Sequence, residues 1–168
     1  MSNDPIRKIL LAGVRQFVEH AIYIQGVRRI ALVGSLTTEK CRPKDADVLV
    51  TVGDDINLRS LTALGRKLKG AGQSHSSGAD IFLSNASGQY IGRTCSWREC
   101  HPRMACRGHR CGIEPHFCDD LDVVSLDHKL VKNPPIELWP NVIRRVRVPD
   151  DVEEYLLRVI EEMVRLKP

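Results

Sequence analysis

The chain has 168 residues, of which 42% are hydrophobic, with a formal net charge of +4 and a sequence pI near 8.8. This length suits one domain with a proper core and is short for two ordinary domains, so we predict a single domain over residues 1–168. No apolar run is long enough to span a membrane and the N-terminus lacks signal-peptide character, which predicts a cytoplasmic protein without membrane contact. The mildly basic balance suits a polyanionic ligand such as a nucleotide or RNA.

The first predicted element is an amphipathic helix. Residues 5–25 place their apolar side chains on one helical stripe, with the charged and polar residues largely elsewhere. We expect Asp4 to cap this helix, Pro5 to occupy its first position and Gly26 to end it. The apolar stripe predicts that the helix covers one face of a sheet.

Two short apolar runs rich in β-branched residues, 27–33 and 45–50, then predict adjacent strands. Side chains alternate along a strand, so Asp45 and Asp47 should project from the same face. Two like charges held close together are costly unless a cation lies between them, and carboxylate oxygens suit Mg²⁺ or Mn²⁺. The turn Gly34-Ser35 adds backbone N–H groups and a hydroxyl, with room for a phosphate.

The next segments predict a helix over 58–70, a strand over 78–83 that carries Asp80, a hairpin turn at 84–88 and a returning strand at 89–92. This order of elements predicts a fold of the α/β (α+β) type. In it, a small mixed sheet has its helices on one face. We interpret four basic residues of the second helix as a solvated outer face rather than a binding site: Arg59, Arg66, Lys67 and Lys69.

One pattern in this region resembles a known family. A hydrophobic residue, Gly34-Ser35, a nine-residue polar loop and then Asp45-Ala46-Asp47-Val48 resemble the signature of the DNA polymerase beta-like nucleotidyltransferase superfamily. The resemblance covers roughly residues 28–92 and is closest to the minimal nucleotidyltransferases, with Asp80 in the position of the family's third carboxylate. It implies a nucleotidyltransferase-like fold.

The resemblance also implies an activity, namely transfer of a nucleoside monophosphate from a nucleoside triphosphate to a hydroxyl of a protein, an RNA or a small molecule. Asp45, Asp47 and Asp80 would hold Mg²⁺ or Mn²⁺, while Gly34 and Ser35 would approach the phosphates. Minimal members of the superfamily often act in toxin–antitoxin pairs, which suggests a helical partner protein. The alternative is a catalytically inactive, zinc-stabilised module that binds a nucleotide or nucleic acid on the same fold.

A segment rich in cysteine and histidine, residues 93–120, follows the third acid. Such clusters in a cytosolic chain more often bind metal than form disulfides, so we predict a Zn²⁺ site within the domain. The simplest thiolate set is Cys95, Cys100, Cys106 and Cys111, with His101, His109, His116 or Cys118 as substitutes. An iron–sulfur cluster and reduced cysteines without metal stay open as alternatives.

The C-terminal part predicts short elements and one helix. Residues 121–126 form a candidate strand, and 136–139 and 142–148 are short and extended. Asp150 or Asp151 is expected to cap a final helix whose apolar stripe is ordinarily core. The same stripe is wide enough for a helix-mediated homodimer, which the sequence leaves open.

Overall fold

The computed structural model describes residues 4–95, 116–119 and 132–166. Its elements, in chain order, are α1 (Pro5–Ala21), β1 (Val27–Val33), a 3₁₀ turn (Gly34–Thr37), β2 (Asp45–Val52), α2 (Leu58–Gln73), β3 (Gly78–Ser84), β4 (Tyr90–Thr94), β5 (Phe117–Cys118), β6 (Ile136–Trp139), α3 (Asp150–Val152), a π-helical turn (Glu153–Leu157) and α4 (Arg158–Arg165). The predicted strand at 121–126 lies outside the described residues. None of the helices in these ranges has the length and apolar character that crossing a bilayer requires.

The six described strands form one mixed sheet in the order β5-β4-β3-β2-β1-β6. Strands β2 and β3 run parallel, and α2 supplies the long crossover that a parallel pair needs. The other neighbouring strands pair antiparallel. The prediction of a mixed sheet combined with helices is therefore confirmed.

The hydrophobic core lies between the sheet and the helices. Alternate residues of the two parallel strands, among them Val48, Val50 and Ile81, are buried in one cluster with the apolar stripes of α1 and α2. Because side chains alternate along each strand, Asp47 and Asp80 project from the opposite face. The helices thus cover one face of the sheet and leave the other face to the carboxylates.

The start of α1 follows the prediction, but its end does not. Asp4 caps the helix by accepting a hydrogen bond from its first turn, and Pro5 is its first residue. The helix ends at Ala21, a turn before Gly26. Gly26 has a φ of +87° in the turn into β1, where a Cβ would overlap the backbone of Ile56. The glycine is needed for this close approach of two loops rather than for helix termination.

The segment 142–148, predicted as short and extended, is not a continuous strand. It forms one isolated bridge, between Ile143 and Glu137, and precedes the C-terminal helices. Arg144 holds it there by binding Glu153 and Glu161 at 2.7–2.8 Å. The ion pairs of Arg144 therefore connect this segment to the C-terminal helical region.

A buried arginine connects the first helix with the C-terminal helices and with the loop after β1. Arg7 is 1% exposed and binds both carboxylate oxygens of Asp151, at 2.5 and 3.0 Å. It also donates hydrogen bonds to the backbone carbonyls of Leu36, Thr38 and Lys40 at 2.8–3.3 Å. Each guanidinium nitrogen is satisfied, so Arg7 fixes the loop that follows the Gly-Ser turn.

Replacing Arg7 tests this clamp. We expect Arg7→Met to lower the free energy of unfolding by roughly 3–5 kcal/mol, because Asp151 and three carbonyls lose their partner. Urea unfolding measures the effect. Arg15→Met is the matched control on the same helix, since the side chains of the Arg15–Glu19 ion pair are each 38% exposed and the pair should contribute less than about 1 kcal/mol. Equal losses in the two variants would contradict the assigned role.

Candidate carboxylate site

The register of the parallel strands brings two predicted acids side by side. Asp47 lies directly opposite Asp80, and Asp45 lies opposite Gly78. Farther along the same two strands, the hydroxyls of Thr51 and Ser84 form a hydrogen bond of 2.9 Å on this face. We call the surface that carries Asp45, Asp47 and Asp80 the carboxylate face.

The Gly-Ser turn lies against the same face. Val33, the last residue of β1, pairs with Asp47, so the chain turns at Gly34 beside that carboxylate. Gly34 has a φ of +74°, and a Cβ on it would overlap Oδ2 of Asp47. Ser35 follows in the 3₁₀ turn, which Thr37 closes by donating its hydroxyl to the Gly34 carbonyl at 2.7 Å. Both the backbone conformation and the adjacent carboxylate therefore require glycine at position 34.

Asp47 has an environment that disfavours its negative charge. It is 8% exposed, and within the described ranges no group donates a hydrogen bond to its carboxylate. Burial, and then the charges of Asp80 and Asp45, raise the pKa of Asp47 to about 7, against an opposing effect of Arg93. Since an opposite charge favours the ionised carboxylate, this arrangement favours a cation at the carboxylate face.

The other two acids already have partners. Asp45 accepts a hydrogen bond from the backbone N–H of Gly78 at 3.1 Å, and Asp80 binds Nη1 of Arg93 at 3.0 Å. In the part of the chain that the structure describes, no group of three or more His, Cys, Asp or Glu side chains has the arrangement of a metal site. The three acids thus share a face without forming a finished set of ligands.

Arg93 is the residue of this site that the sequence did not predict. The predicted returning strand ended at residue 92, whereas β4 continues and places Arg93 opposite Phe82, next to Asp80. The only available signal was the short hairpin, because a tight turn returns the chain alongside the strand that carries Asp80.

The donor chemistry nevertheless fits a divalent cation. Carboxylate oxygens are the ligands that Mg²⁺ and Mn²⁺ prefer, and Asp47 offers a buried carboxylate without a hydrogen-bond donor in the described ranges. Asp45 retains a second oxygen beyond the one that Gly78 occupies. Asp80 can join as a ligand if Arg93 moves, since their ion pair is only partly buried.

The predicted zinc ligands fall mostly outside the described residues, namely Cys100, Cys106 and Cys111 with the substitutes His101 and His109. Cys95 and two further substitutes, His116 and Cys118, lie on the adjacent ends of β4 and β5. The backbone N–H of Cys95 donates to the His116 carbonyl at 2.8 Å, and Cys118 pairs with Arg93. The zinc site stays a prediction.

The fold and the site define a mixed α+β protein with three aspartates on the sheet face opposite its helices. The chain belongs to DUF6932, a family of unknown function, whose family model matches residues 1–113. The matched region contains the carboxylate face and the Gly-Ser turn. No curated protein and no solved structure matches the chain.

The raised pKa of Asp47 predicts a pH-dependent effect of Asp47→Asn. The ionised carboxylate is disfavoured in the folded state, so its cost is full above pH 7 and disappears as the pH falls toward 3.8. At pH 8 we expect the variant to be more stable than the wild type by up to about 4 kcal/mol, with little difference near pH 4. Urea unfolding at both pH values measures this. Asp54→Asn, at an exposed turn residue, is the control and should change stability little at either pH.

A comparison of two glycines with similar backbone conformations distinguishes the cost of backbone strain from the cost of steric overlap. Gly34 and Gly88 both have positive φ, but only Gly34 has neighbours within reach of a Cβ. We expect Gly88→Ala to cost about 1 kcal/mol of backbone strain and Gly34→Ala to cost more, because its methyl group meets Asp47. Thermal unfolding of both variants provides the comparison. In the background of Asp47→Ala the extra cost at position 34 should shrink, and an unchanged cost would contradict the contact.

Proposed function

We propose that this protein is a metal-dependent nucleotidyltransferase, which transfers a nucleoside monophosphate from a nucleoside triphosphate to a hydroxyl acceptor at the carboxylate face. One observation carries the proposal: the parallel register sets Asp47 opposite Asp80, directly beside the Gly34 turn. Two adjacent acids and a turn that offers backbone N–H groups are parts that this chemistry uses.

The proposed roles follow from position and burial. Asp45, Asp47 and Asp80 would hold the divalent cation, Mg²⁺ or Mn²⁺, which when bound neutralises triphosphate charge and favours attack at the α-phosphorus. Asp47 takes the space beside Gly34, so the turn would contact a phosphate through its backbone N–H groups, and Ser35 could donate its hydroxyl to a phosphate. The fixed loop behind this turn, held by Arg7, keeps these donors in place.

The bond changes are those of a simple displacement. The acceptor oxygen forms a bond to the α-phosphorus while the bond from that phosphorus to the bridging oxygen breaks, and pyrophosphate leaves. The acceptor loses its proton to a carboxylate of the site. Asp80 suits this role best, because its side chain is the more exposed of the opposed pair.

A second function is favoured by one specific observation. Arg93 holds Asp80 at 3.0 Å, which places a cation where the third carboxylate would otherwise be available. With this pair intact, Arg93 could neutralise phosphate charge without any turnover. The protein would then be a catalytically inactive module that binds a nucleotide or nucleic acid, with the predicted zinc site as its stabilising element.

The two functions differ in pyrophosphate release. We expect the wild-type protein with Mg²⁺ to release pyrophosphate from at least one of ATP, CTP, GTP and UTP when cellular RNA and protein are present as acceptors. Asp47→Asn should slow release by roughly a hundredfold or more, because the carboxylate charge is lost. Asp54→Asn, a carboxylate outside the site, should retain the wild-type rate.

A physical measurement accompanies the assay. Mg²⁺ should raise the melting temperature of the wild type above pH 7 and have a much smaller effect on Asp47→Asn, since binding to the folded state stabilises it. Nucleotide binding without pyrophosphate release would support the inactive module. Release that survives in Asp47→Asn would refute the enzyme as proposed.

A further inference from the structure

Arg93 lies on the carboxylate face and acts on two of its acids. It is on β4, where it pairs with Phe82, two residues beyond Asp80 on β3. Nη1 of Arg93 binds Oδ1 of Asp80 at 3.0 Å. The charge of Arg93 also opposes the rise in the pKa of Asp47. One arginine therefore offsets part of the negative charge of the opposed pair of acids.

The position of Arg93 disfavours a metal ion that uses Asp80. A guanidinium and a divalent cation repel each other, so a metal ion between Asp47 and Asp80 would lie close to a like charge while the ion pair is intact. Asp45 is also partly engaged, because one of its oxygens accepts the Gly78 N–H at 3.1 Å. The three acids therefore cannot all act on one metal ion without repulsion from Arg93.

A triphosphate offers Arg93 a different partner. The planar guanidinium matches the geometry of phosphate oxygens and can bind them through two parallel N–H donors. A triphosphate also carries more negative charge than one carboxylate. Both side chains of the Arg93–Asp80 ion pair are partly exposed, so an incoming ligand can reach the guanidinium.

The order of these groups across the sheet suits an exchange of partners. Gly34 follows β1, Asp47 is on β2, Asp80 is on β3 and Arg93 is on β4, and these strands are neighbours in that order. Neighbouring strands are about 4.8 Å apart, so about 14 Å separates the backbones of β1 and β4. The side chain of Arg93 narrows this gap because it already reaches Asp80. Phosphates beside the acids would have the Gly34 turn on one side and the guanidinium on the other.

We propose that Arg93 is a triphosphate-binding residue that exchanges Asp80 for phosphate when the nucleotide binds, which releases Asp80 to the metal ion. This role rests on the proposed nucleotidyltransferase function and adds its regulation, since the full set of three carboxylates becomes available only with the nucleotide present. One ion pair replaces another, and no covalent bond changes. Because coupling between two ligands is reciprocal, the metal ion in turn favours the state in which Arg93 binds phosphate.

The effects of Arg93→Gln on two separate binding constants test the exchange. Isothermal titration calorimetry of the full chain measures Mn²⁺ without nucleotide, and then ATP, CTP, GTP and UTP at a fixed Mg²⁺ concentration without acceptor. We expect Arg93→Gln to tighten Mn²⁺ binding about threefold or more, because Asp80 is no longer paired. The same variant should weaken triphosphate binding about tenfold, because a charge-assisted contact is lost. An arginine with only a structural role would not change the two constants in opposite directions.

Arg28 provides a matched control. It also pairs with an aspartate, because its Nη2 binds Oδ1 of Asp55 at 2.8 Å. This pair lies at the start of β1 and after the end of β2, whereas the acids lie at the start of β2. Arg28→Gln removes the same charge from the same sheet and should leave both binding constants within about twofold of the wild type.

Asp80→Asn is the reciprocal variant and covers the case in which Arg93→Gln folds poorly. It removes the charge that holds Arg93, so triphosphate binding measured in EDTA should tighten about threefold or more. Mn²⁺ binding without nucleotide should not tighten in this variant, because a carboxylate charge is lost. An unchanged or weaker affinity for the triphosphate in EDTA would overturn the exchange.

Further results distinguish the exchange from the proposed function. Changes of the same direction in Mn²⁺ and triphosphate binding of Arg93→Gln, or no change in either constant, would overturn the exchange. If pyrophosphate release still depends on Asp47 in that case, the enzyme stands and only the role of Arg93 is refuted. No binding of any of the four triphosphates to the wild type would refute both.

Discussion

The parallel pairing of β2 with β3 is the constraint on which the rest of the site depends. A crossover through α2 returns the chain in the same direction, so Asp47 and Asp80, each near the start of its strand, meet at the same edge. A hairpin between these strands would carry the two acids to opposite ends of the sheet. The same crossover lays α2 against β3, on the sheet face opposite the acids.

The buried charge of Asp47 on the carboxylate face destabilises the folded state. Apolar packing on the opposite face of the same strand offsets this destabilisation. Burial and two neighbouring acids raise the pKa of Asp47 to about 7, so the ionised form of Asp47 destabilises the folded state at neutral pH. Val48 and Val50, the alternate residues of β2, are fully buried under the helices and stabilise the strand that carries the acid. A perturbed carboxylate held by a well-packed strand is a frequent property of functional sites, although structural ion pairs also produce one.

The sequence predicted what depends on local periodicity. Alternation along 45–50 and 78–83 placed the acids on strands, and the Gly34 turn was recognisable because glycine and serine interrupt an apolar run. Long-range contacts were not predictable in this way. The ion pair of Arg93 with Asp80 depends on the register of a hairpin, and the turn at Gly26 depends on a loop thirty residues away. Both are tertiary effects that override local propensity.

The ion pair of Arg93 with Asp80 is too weak to decide by itself between an enzyme and an inactive module. Both side chains are about one-third exposed, 29% and 36%, and such pairs contribute on the order of 1 kcal/mol. A triphosphate brings several negative charges to this face and would compete readily for the guanidinium. Release of Arg93 would then leave Asp80 beside Asp47 as a second unpaired carboxylate, which increases the attraction for a cation. The pair is therefore compatible with turnover, because the proposed substrate itself supplies the charge that separates it.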